Sequence, residues 1–133
     1  MLKLEEISVK YGHYTAVKDA TIEVESGEII VLLGANGAGK STLFRAISGL
    51  QRIASGSISF FDEPVHSLSA DRIVQKGIVQ CAEGRKLFPQ MTVRENLQLG
   101  AFVHKRKKEQ IKQTMNHVYE LFPILKEDRK SVV

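Results

Sequence analysis

Residues Gly34 to Thr42, GANGAGKST, follow directly on the apolar run EIIVLL of Glu28 to Leu33. They complete the pattern G-x-x-x-x-G-K-[ST] in the setting it needs, with a buried-type strand before it and a helix, Lys40 to Leu50, after it. A chain built this way is committed to an α/β fold with the loop at a strand end. Three glycines, Gly34, Gly37 and Gly39, open backbone conformations closed to other residues and let successive N–H groups surround phosphate oxygens. Asn36 and Ala38 lie between them and count as contacts of the same anion. The loop runs into a helix N-terminus, whose partial positive charge adds to the attraction. Lys40 brings a full charge to the β- and γ-phosphates, and the Ser41 hydroxyl is placed to ligate Mg²⁺. Thr42 is a weaker candidate beside it. The expected ligand is a nucleoside triphosphate with its magnesium ion.

The remaining 124 or so positions must supply a scaffold for that loop. A length of 133 residues suits one domain, and 43% hydrophobic residues suffice for a folded core. No apolar run approaches the roughly 18 residues that cross a membrane. The N-terminus, MLKLEEISVKYG, carries acids where a signal peptide needs an apolar stretch, so the chain is expected in the cytosol. Cys81 has no second cysteine to pair with, and its apolar neighbours Ile78 and Val79 predict a buried, inert thiol.

Net charge is +4, which suits phosphate ligands or an anionic surface without requiring either. Part of it is the cluster HKRKK, His104 to Lys108, just ahead of an amphipathic stretch, and read as a solvated helix start or loop. Nucleic-acid binding would call for aromatic or extended basic surface beside it, and the sequence has none there.

Strands are expected at Leu2–Val9, Ala20–Val24, Ile29–Leu33, Ser57–Phe61 and Gly77–Ala82. Ile29–Leu33 is apolar throughout and so is predicted at a sheet centre. Helices are expected after Lys40, Ser69 and Thr92. Thr92 and Glu95 form the capping-box pattern T-x-x-E, opening a helix that ends near Gly100. A last helix from about Lys107 to Phe122 places Ile111, Met115, Val118, Tyr119 and Phe122 on one stripe, to be stopped by Pro123. That stripe reads as packing, not as a cofactor site.

Two further features invite a ligand. Tyr11, in a Tyr-Gly turn, has a ring that can stack on a flat base or simply pack. The polar stretch EGRKLFPQMTVRENL follows a buried-type strand, where ligands of α/β folds gather, and this puts Glu83 toward the γ-phosphate side.

Taken together, Tyr11-Gly12, GANGAGKST, SGSISFFDEPV and AEGRKLFPQMTVRENLQLGAF resemble the N-terminal half of an ABC transporter ATP-binding subunit. The EGR to ENL block and the later YELFPIL narrow the resemblance to the LivF-type ATPase of branched-chain amino-acid importers. It covers essentially the whole chain. It implies an ABC-type P-loop fold, with an N-terminal antiparallel β-subdomain, a partial RecA-like core and the start of a helical subdomain. Residues 1–91 would form the nucleotide-binding core and residues 92–133 the beginning of the helical subdomain. Tyr11 would stack on adenine with Val17 beside the ring, and Gly34 to Thr42 would hold ATP and Mg²⁺. Most relatives carry a glutamine that touches the metal, the attacking water and the membrane subunit. The matching position here is Glu83, a carboxylate that can ligate Mg²⁺ while adding negative charge. Gln80 lies three residues too early. The implied partners are transmembrane permease subunits and a second ATPase subunit, on the cytoplasmic face of the inner membrane.

The family continues into an LSGGQ-like signature, a strand ending in Asp-Glu, and a switch histidine. No LSGGQ-like segment and no later apolar strand ending in Asp-Glu occur in this sequence, and His13, His66, His104 and His117 do not sit in the switch histidine's setting. The expectation is a chain, truncated before the signature motif, that binds MgATP and does not hydrolyse it alone. An unpaired apolar sheet edge beside the phosphate loop would favour self-association. Two alternatives are a small nucleotide kinase, which would need an Arg-rich lid, and a non-catalytic partner docking through Glu83 to Gly100.

Overall fold

The computed structural model describes residues 1–84, 86–104 and 107–133; Arg85 of the EGRKLFP stretch, with Lys105 and Arg106 of the basic cluster, lies outside them. The described chain forms two compact units, Met1–Gln80 and Cys81–Val133.

In the first unit, β1 (Leu2–Tyr11) and β2 (Tyr14–Val24) pair antiparallel through a two-residue turn at Gly12 and His13. Gly12 has φ +58°, the left-handed conformation that a short hairpin needs at its first central position. β1 also pairs antiparallel with β3 (Ser55–Phe60), and β3 with the two-residue β4 (Glu63–Pro64), giving the order β2-β1-β3-β4. The predicted Ala20–Val24 strand is thus the second half of a longer one. Register shifts near Ile7 break the β1–β2 ladder, with Glu6 and Asp19 both at positive φ. At this irregularity the buried Ser8 accepts the Asp19 N–H and donates to Asp19 Oδ1, each at 3.0 Å, so no polar group is stranded there.

The core forms where one sheet face meets two helices. Leu4, Ile7 and Val9 of β1 and Ile58 of β3 pack with Leu43 and Ala46 of α1 (Lys40–Ile47) and Ile73 of α2 (Ala70–Lys76). In α1, Leu43, Ala46 and the partly buried Ile47 recur at the spacing of one helical face. Gly49 at φ +70° ends it. Its N–H donates to Ala46 and the next, from Leu50, to Arg45, the pair of bonds that closes a Schellman motif.

Two predicted strands do not form. Ile29–Leu33 has no ladder partner among the described residues, and Ile29, Val31 and Leu33 are 90%, 71% and 89% exposed. Leu32 alone of the run packs on the core. Gly77–Ala82 is likewise unpaired, with Val79 exposed, and Cys81 is an exposed thiol, not the buried one expected. The reason is common to both. An apolar run becomes a central strand only when neighbours pair with it on each side, and no segment among the described residues does so.

The second unit is helical: α3 (Val93–Gly100), a 3₁₀ turn at Phe102–His104, α4 (Lys108–Leu121) and α5 (Pro123–Glu127). Pro123 follows the end of α4 as expected and then serves as the first residue of α5, where its missing N–H costs nothing. Of the predicted stripe, Ile111, Met115, Val118 and Tyr119 are half-buried and Phe122 is exposed. Met115 and Tyr119 face an apolar groove of about 640 Å³ rimmed by Arg94, Lys108, Lys112 and Arg129. The Tyr119 hydroxyl is buried with no partner among the described residues.

Candidate functional site

The phosphate loop belongs to the first unit, between the unpaired apolar run and α1. Its shape is set by Gly37 at φ +85° and Gly39 at φ +87°. Gly39 is doubly constrained, because a Cβ there would stand 2.4 Å from the Ala16 carbonyl oxygen and 3.1 Å from Val17 Cγ2. Strand β2 therefore presses on the loop where it becomes helix. This places Val17 against the loop.

Lys40 folds back across the loop. Its ammonium donates to the carbonyl oxygens of Gly34 at 2.6 Å and Ala35 at 2.8 Å. The Ala38 N–H donates to the Ala35 carbonyl at 3.2 Å, closing the turn beneath it. Gly34, Asn36, Gly37, Ala38 and Ser41 are exposed, while Gly39 and Thr42 are half-buried. The first backbone bond of α1 runs from the Leu43 N–H to the Gly39 carbonyl at 2.9 Å. The N-cap is glycine without a capping side chain, and the first turn holds no acid. The positive end of α1 is therefore neither capped nor neutralised by the chain, and it opens on the loop.

Tyr11 stands at the hairpin end, across from Tyr14, and the residue is 44% exposed. Glu83 belongs to the second unit, in an exposed bend before Gly84. Gln80, passed over as a site residue, accepts a 2.6 Å hydrogen bond from Ser48 at the C-terminal end of α1.

Sequence reasoning missed Asn96. Its Oδ1 accepts the Phe88 N–H at 2.9 Å, and its Nδ2 donates to the carbonyls of Phe88, Met91 and Thr92 at 3.1–3.2 Å. Its only local signal was an asparagine directly after the capping glutamate, inside a helix that it otherwise disfavours. The capping box is present as predicted, the Glu95 N–H donating to Thr92 Oγ1 while Thr92 N–H and hydroxyl donate to Glu95 Oε2. Those Thr92 donors hold the Glu95 carboxyl below the usual glutamate range.

The donor set fits a nucleoside triphosphate with Mg²⁺. The loop is glycine-lined and exposed, with open space where a Cβ would stand at Gly37, an ammonium sits over it, and exposed Ser41 lies in the first turn of α1. No group of three or more His, Cys, Asp or Glu that could hold a metal occurs among the described residues. Mg²⁺ needs no such cage, since phosphates and water supply most of its ligands.

Comparison with known proteins sharpens the picture. The family described as ABC transporter matches residues 17–131. The high-affinity branched-chain amino acid transport ATP-binding protein BraG of Pseudomonas aeruginosa is 43% identical over 127 residues, 96% of this chain and 54% of BraG. The sn-glycerol-3-phosphate import ATP-binding protein UgpC of Brucella abortus is 38% identical over 109 residues, 81% of this chain and 30% of UgpC. A solved ATP-binding subunit of an ABC transporter superposes with a TM-score of 0.85 at 25% identity, over 99% of this chain and 54% of that one. The chain thus spans about half the length of BraG and less of UgpC.

Proposed function

The chain belongs to the ABC transporter family and has the α/β fold of the N-terminal portion of its ATP-binding cassettes; from that premise we propose that it is part of the ATP-binding subunit of a branched-chain amino-acid importer. The observation that carries the reading is the phosphate loop, with Lys40 held over it and the uncapped N-terminus of α1 behind it. The amino-acid substrate rests on the likeness to BraG and on the EGR to ENL block.

Tyr11 stacks on the adenine with Val17 beside it. The amides of Gly34, Asn36, Gly37, Ala38 and Gly39 surround the β- and γ-phosphates, with Lys40 neutralising their charge and Ser41 and Thr42 beginning the helix beneath. Ser41 and Glu83 are the residues that would hold Mg²⁺, which supplies charge neutralisation of the phosphates when bound. Binding requires Lys40 to exchange the Gly34 and Ala35 carbonyls for phosphate oxygens. Residues 1–91 act as the nucleotide-binding core and 92–133 as the start of the helical subdomain.

No helix among the described residues is long and apolar enough to cross a membrane. Attachment to the cytoplasmic face of the inner membrane comes through permease subunits, and hydrolysis through pairing with a second ATPase subunit. Family membership sets aside the small nucleotide kinase. These residues alone are expected to bind MgATP without turning it over, since they hold neither the signature nor a later apolar strand ending in Asp-Glu.

Calorimetric titration of the chain with MgATP tests the proposal, and no binding at millimolar nucleotide sinks it. Steady-state ATP turnover that Lys40→Ala abolishes would refute the division between binding and hydrolysis. Co-purification with a full-length subunit without ATP would favour a non-catalytic docking partner instead.

A further inference from the structure

The apolar groove of the Cys81–Val133 unit has a floor and a rim of opposite character. Along α4, Ile111, Met115 and Tyr119 recur at four-residue spacing, half-buried, and with Ala101 they form the floor. Lys108 and Lys112 each stand three residues ahead of a floor residue, so a row of cations runs beside the apolar row. The other two rim cations come from separate segments that one backbone bond joins, the Arg94 N–H of α3 donating to the Arg129 carbonyl at 3.1 Å. Four positive side chains thus surround about 640 Å³ of largely apolar space.

Those charges are unbalanced at the groove. Arg94, Lys108, Lys112 and Arg129 form no ion pair among the described residues, and no Asp or Glu of those residues lines the groove. Glu95, next to Arg94 in the chain, is committed to the Thr92 cap. Lys108 and Lys112 lie one helical turn apart, a like-charge spacing that weakens a helix unless an anion sits near both. The Tyr119 hydroxyl adds a second cost, since it is buried with no hydrogen-bond partner among the described residues. A ligand that brings negative charge and a hydrogen-bond acceptor to the groove relieves both costs.

We propose that this groove binds a free single-chain acyl anion, its tail on the Ile111–Met115–Tyr119 floor and its carboxylate among the rim cations, where it supplies the acceptor that the Tyr119 hydroxyl lacks. The volume lies within the range of small-molecule sites, about 300–1,000 Å³, and exceeds what a single amino-acid side chain fills. A zwitterion would also leave its ammonium without a carboxylate partner, which favours a plain anion. A bilayer would need apolar side chains that project from the surface, whereas the floor residues are half-buried. Every residue involved belongs to the second unit, so the proposal stands apart from the nucleotide reading of the first.

The test titrates dodecanoate, below its micelle concentration, into the 133-residue chain at neutral pH by calorimetry. Dodecyltrimethylammonium keeps only the tail and butanoate only the head, and these are the controls. One dodecanoate per chain is expected, with an affinity about tenfold or more above either control and falling as salt is raised. Arg94→Gln and Lys112→Gln, both at exposed positions, should each weaken it roughly fivefold, the scale of one partly exposed ion pair. Tyr119→Phe separates binding from packing: loss of an orphaned hydroxyl should raise the melting temperature of the free chain while lowering dodecanoate affinity. Val31→Lys, in the exposed apolar run of the other unit, should leave the titration unchanged. Equal binding of dodecyltrimethylammonium, loss of binding in Val31→Lys, indifference to both charge substitutions, or a Tyr119→Phe effect confined to melting temperature overturns the proposal. So does an affinity that drops as chain concentration is raised, which would make a second copy the occupant. Binding to phosphatidylglycerol vesicles without binding of free dodecanoate overturns it as well and makes the surface a membrane contact.

Discussion

Gly39 and Ala16 approach so closely that a side chain on the glycine would drive its Cβ to 2.4 Å from the Ala16 carbonyl oxygen. The neighbour is backbone of a paired strand and cannot swing aside. Gly39→Ala therefore combines a left-handed φ with overpacking, and its expected cost is about 3 kcal/mol or more. Gly37 has nearly the same φ but open space where its Cβ would go. Gly37→Ala should cost only about 1 kcal/mol in stability. Urea unfolding of the two variants checks the contrast, and equal losses would mean that the β2 contact carries no weight.

Lys40 spends its charge on two exposed carbonyls, whose loss water can make good. Lys40→Ala should leave the melting temperature nearly unchanged. ATP affinity should fall about tenfold or more, the 1.4 kcal/mol scale of a charge-assisted bond. Unchanged affinity by titration would count against the phosphate role, whereas a large drop in melting temperature would make the lysine a structural clasp.

Thr92 and Glu95 make a pH-dependent helix cap. Because the Glu95 carboxyl is held below the usual glutamate range, its contribution is present above the unfolded value, about 4.3, and lost as pH falls through the lower folded value. Acidification below about pH 4 should lower the hydrogen-exchange protection factors of the Glu95 and Asn96 amides, measured against the intrinsic rate at each pH. Glu95→Gln should flatten that dependence, and Thr92→Ala should cost about 1 kcal/mol at neutral pH. Protection factors at these amides that follow acid alike with and without Glu95 would exclude the cap as the titrating group.

What was legible from the sequence is what neighbours in the chain decide. The Thr92–Glu95 box and the start of α1 at Lys40 depend on residues within about one helical turn of each other, and both stand where the sequence predicts them. The β1–β2 hairpin was partly legible, its second strand longer than alternation suggested because Tyr14, Thr15 and Val17 pair with β1 ahead of the irregularity at Asp19. The hydrogen bonds of the Gln80 and Asn96 amides are not legible in the sequence because their partners are fixed by folding: Ser48 is 32 residues from Gln80, and Phe88 lies across a turn from Asn96. Burial of Ile29–Leu33 and Cys81 was misjudged for a different reason. Hydropathy records that a segment suits a sheet interior, but burial needs partner strands, and these residues contain none for it.

That unpaired run makes a last prediction. Ile29, Val31 and Leu33 alternate along the segment and are all largely exposed, while Leu32 between them packs on the core. An apolar stretch with free backbone donors and acceptors is a template for pairing with a second copy. The isolated chain should therefore sediment as concentration-dependent oligomers. Val31→Lys puts a solvated charge in the middle of the exposed row without touching Leu32 or the loop. It should shift the chain toward monomer while leaving ATP affinity within about twofold, since the substitution is three residues short of Gly34 and surface changes away from special features cost little. Analytical ultracentrifugation of both forms decides the matter: a monomer at every concentration before substitution, or oligomers that persist after it, would place the association surface elsewhere or remove it.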